Sequence, residues 1–401
     1  MNPTPLYNLS PALSIALFGA ALALGPLVWV GWRHRGHGGE GMLRALTLVV
    51  LFLTFDLVAF GAFTRLTDSG LGCPDWPGCY GNASPLGAHA QIHSAQTLMP
   101  SGPVTWPKAW IEMIHRYLAT AVGAFVTVLA AAHLLLWWRR SPLLRPALAW
   151  PLVTLLWICL QGAFGALTVT MKLYPAIVTL HLLGGLALLA LLAVQAEGYA
   201  RQSLLPLSPA LRKAVLAAAV PVVAQVALGG WVSTNYAVLA CTDFPTCQGG
   251  WWPDMDFTQG FTLRRSLGMT ADGNWLPFAA LTAIHYTHRL MAYVVLLALA
   301  ALAWRLHADG HAAHRRWARV LAGLALWQLF SGLSNVVLGW PLLSALAHTG
   351  GAAALVVALT MLVVRTRHAA SQGQGQGQGQ GQPAMSVAAQ SVAWSARSLE
   401  S

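Results

Sequence analysis

The feature that most limits what this chain can fold into is the recurrence of long apolar runs. A run of about 20 apolar residues is long enough to cross the roughly 30 Å hydrocarbon core of a bilayer as a helix. Only 9% of the 401 residues are charged and 56% are hydrophobic, whereas ordinary soluble domains carry about 25% charged residues. The sequence therefore predicts an all-α membrane protein. We predict nine spans, at about 11–32, 43–63, 109–136, 149–170, 175–196, 214–234, 278–304, 319–340 and 342–364.

The basic residues predict how these spans are oriented. The formal net charge is +11, which on a soluble protein could indicate a nucleic-acid partner. Most of the Lys and Arg residues, however, fall in alternate loops or in the C-terminal tail, as the positive-inside rule describes. We therefore expect membrane lipid rather than nucleic acid as a partner, with the N-terminus outside the bacterial inner membrane and the C-terminus in the cytoplasm. The first run lacks a preceding basic segment, so we expect a retained helix rather than a signal peptide.

Three segments of the sequence occur twice. Residues 61–81 (GAFTRLTDSGLGCPDWPGCYG) resemble 229–250 (GGWVSTNYAVLACTDFPTCQGG). IEMIHRYLA at 111–119 resembles IHYTHRLMA at 284–292, and TLHLLGGLALLAL at 179–191 resembles LAHTGGAAALVVAL at 346–359. Matched positions are 167, 168 or 173 residues apart. A unit of four spans is therefore repeated, and both copies run in the same direction. This predicts two four-helix bundles related by a pseudo-twofold axis along the membrane normal.

The repeat divides the chain into five predicted regions. The two bundles are flanked and joined by shorter segments, and the last of these contains a strict Gln-Gly alternation at 372–382. Such a composition cannot bury a core, so we expect a disordered tail. The regions are 1–42 (one extra N-terminal transmembrane helix and its loop), 43–196 (first bundle), 197–213 (linker), 214–366 (second bundle) and 367–401 (tail).

Four histidines fall inside the spans at matched depths in the two repeats: His115, His181, His288 and His348. Ionisable groups inside a membrane are costly and are commonly functional, although a single histidine can also serve as a hydrogen-bonding link between helices. Neutral imidazole is a strong iron ligand, and facing helices of a bundle are where cofactors are ligated. No compact Cys/His cluster with zinc spacing accompanies them. The pattern therefore favours porphyrin iron held by pairs of axial histidines.

Glu112 is the candidate catalytic residue. It stands three residues before His115, so both project from a similar helix face, and the matching position in the second half is His285. A carboxyl group beside a reacting centre can accept or deliver protons. The alternative is an ion pair with Arg116 or Lys108.

Four other charged residues lie in the spans or at their ends. Arg116 and Arg289 each follow a candidate ligand directly, and Arg65 ends the second span. A buried arginine needs an anion, which the propionates of a heme would supply. The alternative is a guanidinium group that reaches outward to lipid headgroups. Asp56, in the middle of the second span, is interpreted as a buried packing or proton-relay residue.

The five cysteines form two pairs and one single residue. Cys73 and Cys79 bracket PDWPG, and Cys241 and Cys247 bracket TDFPT, both in outer loops. Proline and aspartate favour turns that bring each pair within bonding range, and the outside of a bacterial membrane is oxidising. We expect a disulfide in each loop, with zinc binding by the four thiolates as the alternative. Cys159 is interpreted as a small core residue.

Together, GAFTRLTDSGLGCPDWPGCYG, EMIHR, TLHLLGG, HYTHRLMA and AHTGG resemble the heme A synthase family in its bacterial form, over about 43–366. The resemblance implies oxidation of the C8 methyl group of heme O to the formyl group of heme A, by successive hydroxylations, for cytochrome oxidase. It also implies a b-type heme in one half and the substrate heme in the other. The family's acid and first-half ligands fall on Glu112, His115 and His181, and its second-half ligands on His288 and His348. The extra N-terminal helix and the Gln-Gly tail depart from the family's pattern.

We expect heme O in the first half, beside Glu112, and heme b in the second. The resemblance further implies heme O synthase as substrate donor, cytochrome oxidase assembly factors, an unidentified electron donor or acceptor, and a possible homo-oligomer. Two other classes of function remain open at this stage. One is a di-heme b-type electron-transfer cytochrome, and the other is a heme carrier or exporter.

Overall fold

The computed structural model describes residues 7–36, 38–138, 149–200 and 205–377, with side chains up to 366 in the last range. Within these residues, nine helices are long and apolar enough to cross a membrane. The prediction of an all-α protein with nine spans is therefore confirmed. The helices are α1 (Ala12–Arg33), α2 (Gly38–Leu66), α3 (His89–Leu98), α4 (Trp106–Trp138), α5 (Ala149–Thr170), α6 (Pro175–Gly198), α7 (Pro209–Thr234), α8 (Phe257–Gly260), α9 (Phe278–Ala308), α10 (Ala312–Val337) and α11 (Leu342–Gly377).

Parts of two predicted basic loops, and most of the predicted tail, lie outside the described residues. These parts are 139–148, 201–204 and 378–401. Helix α11 continues to Gly377, past the end predicted for the last span. Disorder of the tail stays a prediction.

Local sequence sets where several helices begin. Helices α6 and α7 start at Pro175 and Pro209, where the missing N–H would be unpaired in any case and the ring fixes a helical φ. The Ser208 side chain caps α7 by accepting a hydrogen bond from the backbone N–H of Leu211 (3.2 Å).

The two bundles meet along a pseudo-twofold axis. Helices α2, α4, α5 and α6 form the first bundle, and α7, α9, α10 and α11 form the second; α6 packs on α11 and on α7, and α2 packs on α11. On a twofold axis a residue lies opposite its own counterpart, and three pairs separated by 168 residues do so. Tyr236 donates to Asp68 Oδ1 (2.5 Å), Arg65 Nη2 donates to the carbonyl oxygen of Ser233, and Arg365 Nε and Nη2 bind the two carboxylate oxygens of Glu197 (2.9 Å each). The predicted symmetry is confirmed.

Helix α1 packs against the first bundle. It packs on α4, and a Cβ added at Gly19 would lie 2.7 Å from Thr120 Cβ, so a glycine is needed for this close approach. The strand β1 (Tyr7–Asn8), which precedes α1, pairs in parallel with β2 (Trp76–Pro77). In the second bundle the counterpart of Thr120 is Tyr293, which is 40% exposed.

Each bundle has its own hydrophobic core, at the end away from the long loops. Leu43, Phe125 and Leu192 are central to the core of the first bundle, and Leu299 and Leu362 to that of the second. The cavity begins where these cores end, since Leu299 belongs to the second core and also lines the cavity.

Candidate functional site

One cavity of about 870 Å³ lies between the helices at the loop end and is lined by residues from both bundles. It brings together all eight residues that the sequence predicts as ligands, propionate-binding groups or catalytic acid. These are His115, His181, His288, His348, Glu112, Arg65, Arg116 and Arg289.

Each of the four histidines packs against a glycine of a neighbouring helix. A Cβ on the glycine would lie 3.0–3.5 Å from the Cε1 atom of the ring, so the glycine lets the imidazole approach the helix backbone. These glycines were not predicted from the sequence, although their spacing repeats with that of the histidines. The pairs are Gly61 with His115, Gly229 with His288, Gly165 with His181, and Gly332 with His348.

The ring nitrogens of these histidines are incompletely paired. The Nδ1 atoms of His115, His181 and His288 are buried without a hydrogen-bond partner, and a buried polar atom left unpaired costs about 1–3 kcal/mol. Two pairs of imidazoles that line one cavity, each pair with at least one ring nitrogen that no protein group binds, are the donor set that a heme iron takes as ligands. The residues present therefore fit a heme.

The two bundles differ in the polar groups around their histidines. In the second bundle Ser331 Oγ lies 2.9 Å from His348 Nδ1, and Gln225 Nε2 lies 3.5 Å from His288 Nε2. The repeat places Phe164 opposite Ser331 and Leu57 opposite Gln225. Second-bundle histidines thus have side-chain partners that first-bundle histidines lack.

A disulfide closes each long loop. Cys73 is bonded to Cys79 and Cys241 to Cys247, with Cα atoms 4.9 and 4.8 Å apart. The pairing expected from the sequence is confirmed.

An aspartate organises each disulfide loop. Asp75 accepts hydrogen bonds from the backbone N–H groups of Tyr80 (2.6 Å) and Gly81 (2.7 Å). Asp243 does the same in the second loop and also accepts from the Thr246 hydroxyl (2.5 Å). The Thr246 hydroxyl and the loop N–H groups lower the pKa of Asp243 to about 2. Both loops therefore have the same internal scaffold.

Arg116 and Arg289 bind these loops. Their side chains are buried in the protein, so the headgroup-binding alternative is wrong, and the binding of propionates stays a prediction. Arg116 Nη1 donates to the carbonyl oxygens of Asp75 (3.0 Å), Pro77 (3.1 Å) and Gly78, and Arg289 donates to those of Asp243 (2.9 Å), Thr246 (2.7 Å) and Cys241 (3.2 Å). Each arginine thereby fixes a disulfide loop over the cavity.

Glu112 is 4% exposed and is held on both carboxylate oxygens. Oε1 pairs with Arg116, and Oε2 accepts from the backbone N–H of Cys73 (2.8 Å). The ion pair weighed from the sequence is therefore formed, with Arg116 rather than with Lys108. At the matching position, His285 Nδ1 lies 3.0 Å from the carbonyl oxygen of Ala237. Among the described residues that line the cavity, Glu112 alone carries a carboxylate.

Arg65 joins the two halves as well as lining the cavity. Its guanidinium lies 3.8 Å from the centre of the Tyr236 ring and 3.4 Å from Asp68 Oδ1. Burial raises the pKa of Tyr236 to about 12, so its hydroxyl stays protonated and donates to Asp68. The predicted propionate contact of Arg65 is not tested by these interactions.

Two residues were placed wrongly from the sequence. Asp56 is exposed on α2 and does not line the cavity, so it is not a buried residue. Cys159 is an exposed free thiol that does line the cavity, so it is not a core residue. Both errors concern which face of a helix points inward.

Comparison with known proteins gives consistent matches. The family model described as cytochrome oxidase assembly protein matches residues 44–360. The heme A synthase of Shewanella oneidensis is 36% identical over 330 residues, covering 80% of this chain and 95% of that protein. The heme A synthases of Methylobacterium radiotolerans and Halalkalibacterium halodurans are 30% and 27% identical, covering 83% and 79% of this chain and 91% and 92% of theirs. All eight cavity residues predicted from the sequence lie inside the matched range.

Proposed function

The chain belongs to the cytochrome oxidase assembly protein family, and from that premise we propose that it is a heme A synthase. It is a multi-pass membrane oxidoreductase, and the reaction is conversion of heme O to heme A for cytochrome oxidase. The finer proposal is that the C8 methyl group of heme O is oxidised to a formyl group by successive hydroxylations. The observation that carries it is one cavity lined by two repeat-matched histidine pairs with a carboxylate beside only one pair.

The two hemes have different places in this proposal. His115 and His181 hold heme O as substrate in the first bundle, and His288 and His348 hold a resident heme b in the second. Ser331 supports the second assignment, because a hydrogen bond to the far nitrogen of a ligating imidazole orients the ring and raises its basicity. A hydrogen bond that strengthens iron ligation benefits a permanently bound cofactor more than a substrate that must dissociate after the reaction.

Bound heme iron supplies the redox chemistry, and the protein supplies position and proton handling. The glycine contacts set the orientation of the imidazoles. Arg116 and Arg289 hold the disulfide loops over the cavity, where Trp76 and Phe244 line it and limit entry of water. Arg65, Arg116 and Arg289 would be the groups that bind the heme propionates.

Glu112 is the proposed proton acceptor at the reacting methyl group. Oxidation of a methyl group releases protons, and a fixed carboxylate next to the substrate can take one. Arg116 and the Cys73 N–H hold Glu112 in one orientation, so a proton arriving at Oε1 or Oε2 displaces a hydrogen-bond donor. Proton uptake at Glu112 is thereby coupled to the first disulfide loop.

Topology and partners complete the proposal. The disulfide loops and the N-terminus face the periplasm, and the C-terminus faces the cytoplasm, in a bacterial inner membrane. Heme O synthase delivers the substrate and assembly factors of cytochrome oxidase take the product. We also propose that the protein exchanges electrons with a separate donor or acceptor and that it forms a homo-oligomer.

Pigment extraction from the purified protein tests the function. A heme A synthase contains heme B together with heme O, a hydroxylated intermediate or heme A. A di-heme electron-transfer cytochrome or a heme carrier contains heme B alone, and that result would exclude the proposal.

Variants of the second-bundle histidines test the ligand assignment. His288→Ala and His348→Ala each remove an axial ligand and should lower heme B content. Unchanged heme B content and an unchanged spectrum in both variants would overturn the assignment.

A further inference from the structure

The cavity does not have the same shape in the two bundles. On α5 its lining extends to Leu155, whereas on α10 it ends at Gln328, the counterpart of Gln161. The six residues from Gln161 to Leu155 correspond to about 9 Å of helix. Along α5 the first bundle therefore has an arm of the cavity that is missing along α10, whereas on α4 and α9 the lining reaches a similar depth, at Thr127 and at Leu299, the counterpart of Val126.

This arm lies between α4 and α5 and is open to the surrounding bilayer. We name it the α4–α5 slot; its walls are Gly123, Ala124 and Thr127 of α4 and Leu155, Ile158, Cys159 and Gly162 of α5. Thr127, Cys159 and Gly162 are exposed, and all three lie within membrane-spanning helices. The slot thus connects the substrate half of the cavity with the lipid phase.

The repeat shows which residues keep the slot open. Gly123 and Gly162 each have nothing within 4 Å of an added Cβ, so both positions border empty space. Their counterparts in the second bundle are Leu296 and Leu329, which also line the cavity. A leucine side chain at either glycine would occupy the volume of the slot.

A buried polar atom stands at the inner end of the slot. Gln161 is 8% exposed and lines the cavity, and its Oε1 atom has no hydrogen-bond partner. Its counterpart, Gln328, is held through the other amide atom, Nε2, which donates to the carbonyl oxygen of His348 (3.0 Å). In the second bundle Gln225 Oε1 and Asn335 Oδ1 are also unpaired and belong to residues that line the cavity, but neither residue is at the position that matches the slot. An unpaired buried acceptor costs about 1–3 kcal/mol, so Gln161 is suited to a ligand that carries a hydroxyl donor at this place.

We propose that the α4–α5 slot binds the isoprenoid chain of the substrate heme, so that the first bundle selects a heme with such a chain over one without it. This inference rests on the proposed function. Heme O carries a hydroxylated isoprenoid chain, and heme b lacks it. An apolar chain matches a slot that opens into lipid, and the hydroxyl at its base donates to Gln161 Oε1. The second bundle, with leucines at the same positions, takes the heme that has no chain.

The test compares heme O with heme b as ligands of the first bundle. The full-length protein, with heme b already in its second bundle, is titrated with each heme and binding is followed by absorbance. Wild type should bind heme O at least about tenfold more tightly than heme b. Gly162→Leu and Gly123→Leu should remove that preference, because the leucine occupies the place of the chain.

Gly323→Leu is the matched control. Gly323 lies on α10 with nothing within 4 Å of an added Cβ and does not line the cavity, so this variant should keep the wild-type preference. Heme b content of the second bundle reports whether each variant is folded.

A second measurement does not depend on these variants. Cys159 is the free thiol of the slot, so bound heme O should slow its alkylation by N-ethylmaleimide while heme b should not. Equal affinities of wild type for the two hemes, retained preference in Gly162→Leu, or equal protection of Cys159 would each overturn the inference. Wild type that yields heme A but shows no preference would contradict the slot alone, whereas pigment containing only heme B would contradict the proposed function.

Discussion

A methyl group added at Gly229 or Gly332 would meet the imidazole of a proposed iron ligand. A Cβ at Gly229 lies 3.0 Å from His288 Cε1, and a Cβ at Gly332 lies 3.1 Å from His348 Cε1, whereas ordinary contact begins near 3.4 Å. Each ring must therefore move by a few tenths of an ångström. Metal–ligand distances are held within about 0.2 Å, so this movement is large enough to weaken axial ligation.

We expect Gly229→Ala and Gly332→Ala to lower the affinity of the second bundle for heme b about 10- to 100-fold, as for other changes that disturb the orientation of a ligand. The measurements are heme b retained per protein after purification and the reduced-minus-oxidised visible spectrum. Alanine is a better helix former than glycine, so a loss cannot arise from a weaker helix. Gly323→Ala, where the added methyl meets nothing within 4 Å, is the control.

The first-bundle glycines provide a graded comparison. A Cβ at Gly61 lies 3.0 Å from His115 Cε1, but a Cβ at Gly165 lies 3.5 Å from His181 Cε1, an ordinary contact. Gly61→Ala should lower heme A yield and leave heme b unchanged, and Gly165→Ala should be close to wild type. Native heme b content and spectrum in Gly229→Ala would refute the reasoning, and loss of heme b in Gly61→Ala alone would reverse the assignment of the two halves.

Three further changes test other parts of the structure. Glu112→Gln keeps a hydrogen-bond acceptor for the Arg116 guanidinium but removes proton transfer. Heme A formation should therefore fall about 10²–10⁴-fold while heme b remains bound. Normal heme A yield would contradict a chemical role for Glu112, and loss of all heme would indicate a structural role. Glu197→Arg places two cations side by side on the pseudo-twofold axis. It should lower the unfolding free energy by about 1–3 kcal/mol, less than the about 3–5 kcal/mol for breaking a fully buried ion pair, because the Arg365 side chain is 26% exposed. Adding Arg365→Glu should restore stability in thermal unfolding, and additive losses in the double variant would exclude the contact. Ala16 is the place where α1 lines the cavity, so Ala16→Trp should fill part of the cavity and lower the heme O content of the purified protein. Leu17 is 62% exposed, so Leu17→Trp should leave heme O content unchanged. Equal effects of the two variants would show that α1 does not border the substrate site.

The features predicted correctly are those carried by order along the chain. A span is recognised from the length of an apolar run, because a bilayer of fixed thickness demands that length whatever the helix packs against. The repeat is recognised from matched segments, and it implies the symmetry axis before any contact is known. The cysteine pairs follow in the same way, since both CxDxPxC loops recur at the repeat spacing. His115 and His288 recur as well, and their role as iron ligands stays a prediction.

The features missed depend on how each helix is rotated about its own axis. A membrane helix is apolar on all sides, so no hydrophobic periodicity marks its inner face. For this reason Asp56 was expected inside and is exposed, and Cys159 was expected in the core and lines the slot.

Apolar spans and a repeat determine, by themselves, nine helices in two bundles with matched histidines at one end. Only the tertiary structure decides that Arg116 binds a loop, that a glycine faces each imidazole, and that Gly162 borders open space where Leu329 stands in the other bundle. The physical reason is that the repeat and the hydropathy are properties of residue order along the chain. Contacts between helices depend on the shapes of both surfaces, and two bundles from one ancestral pattern can differ there through a few side-chain volumes.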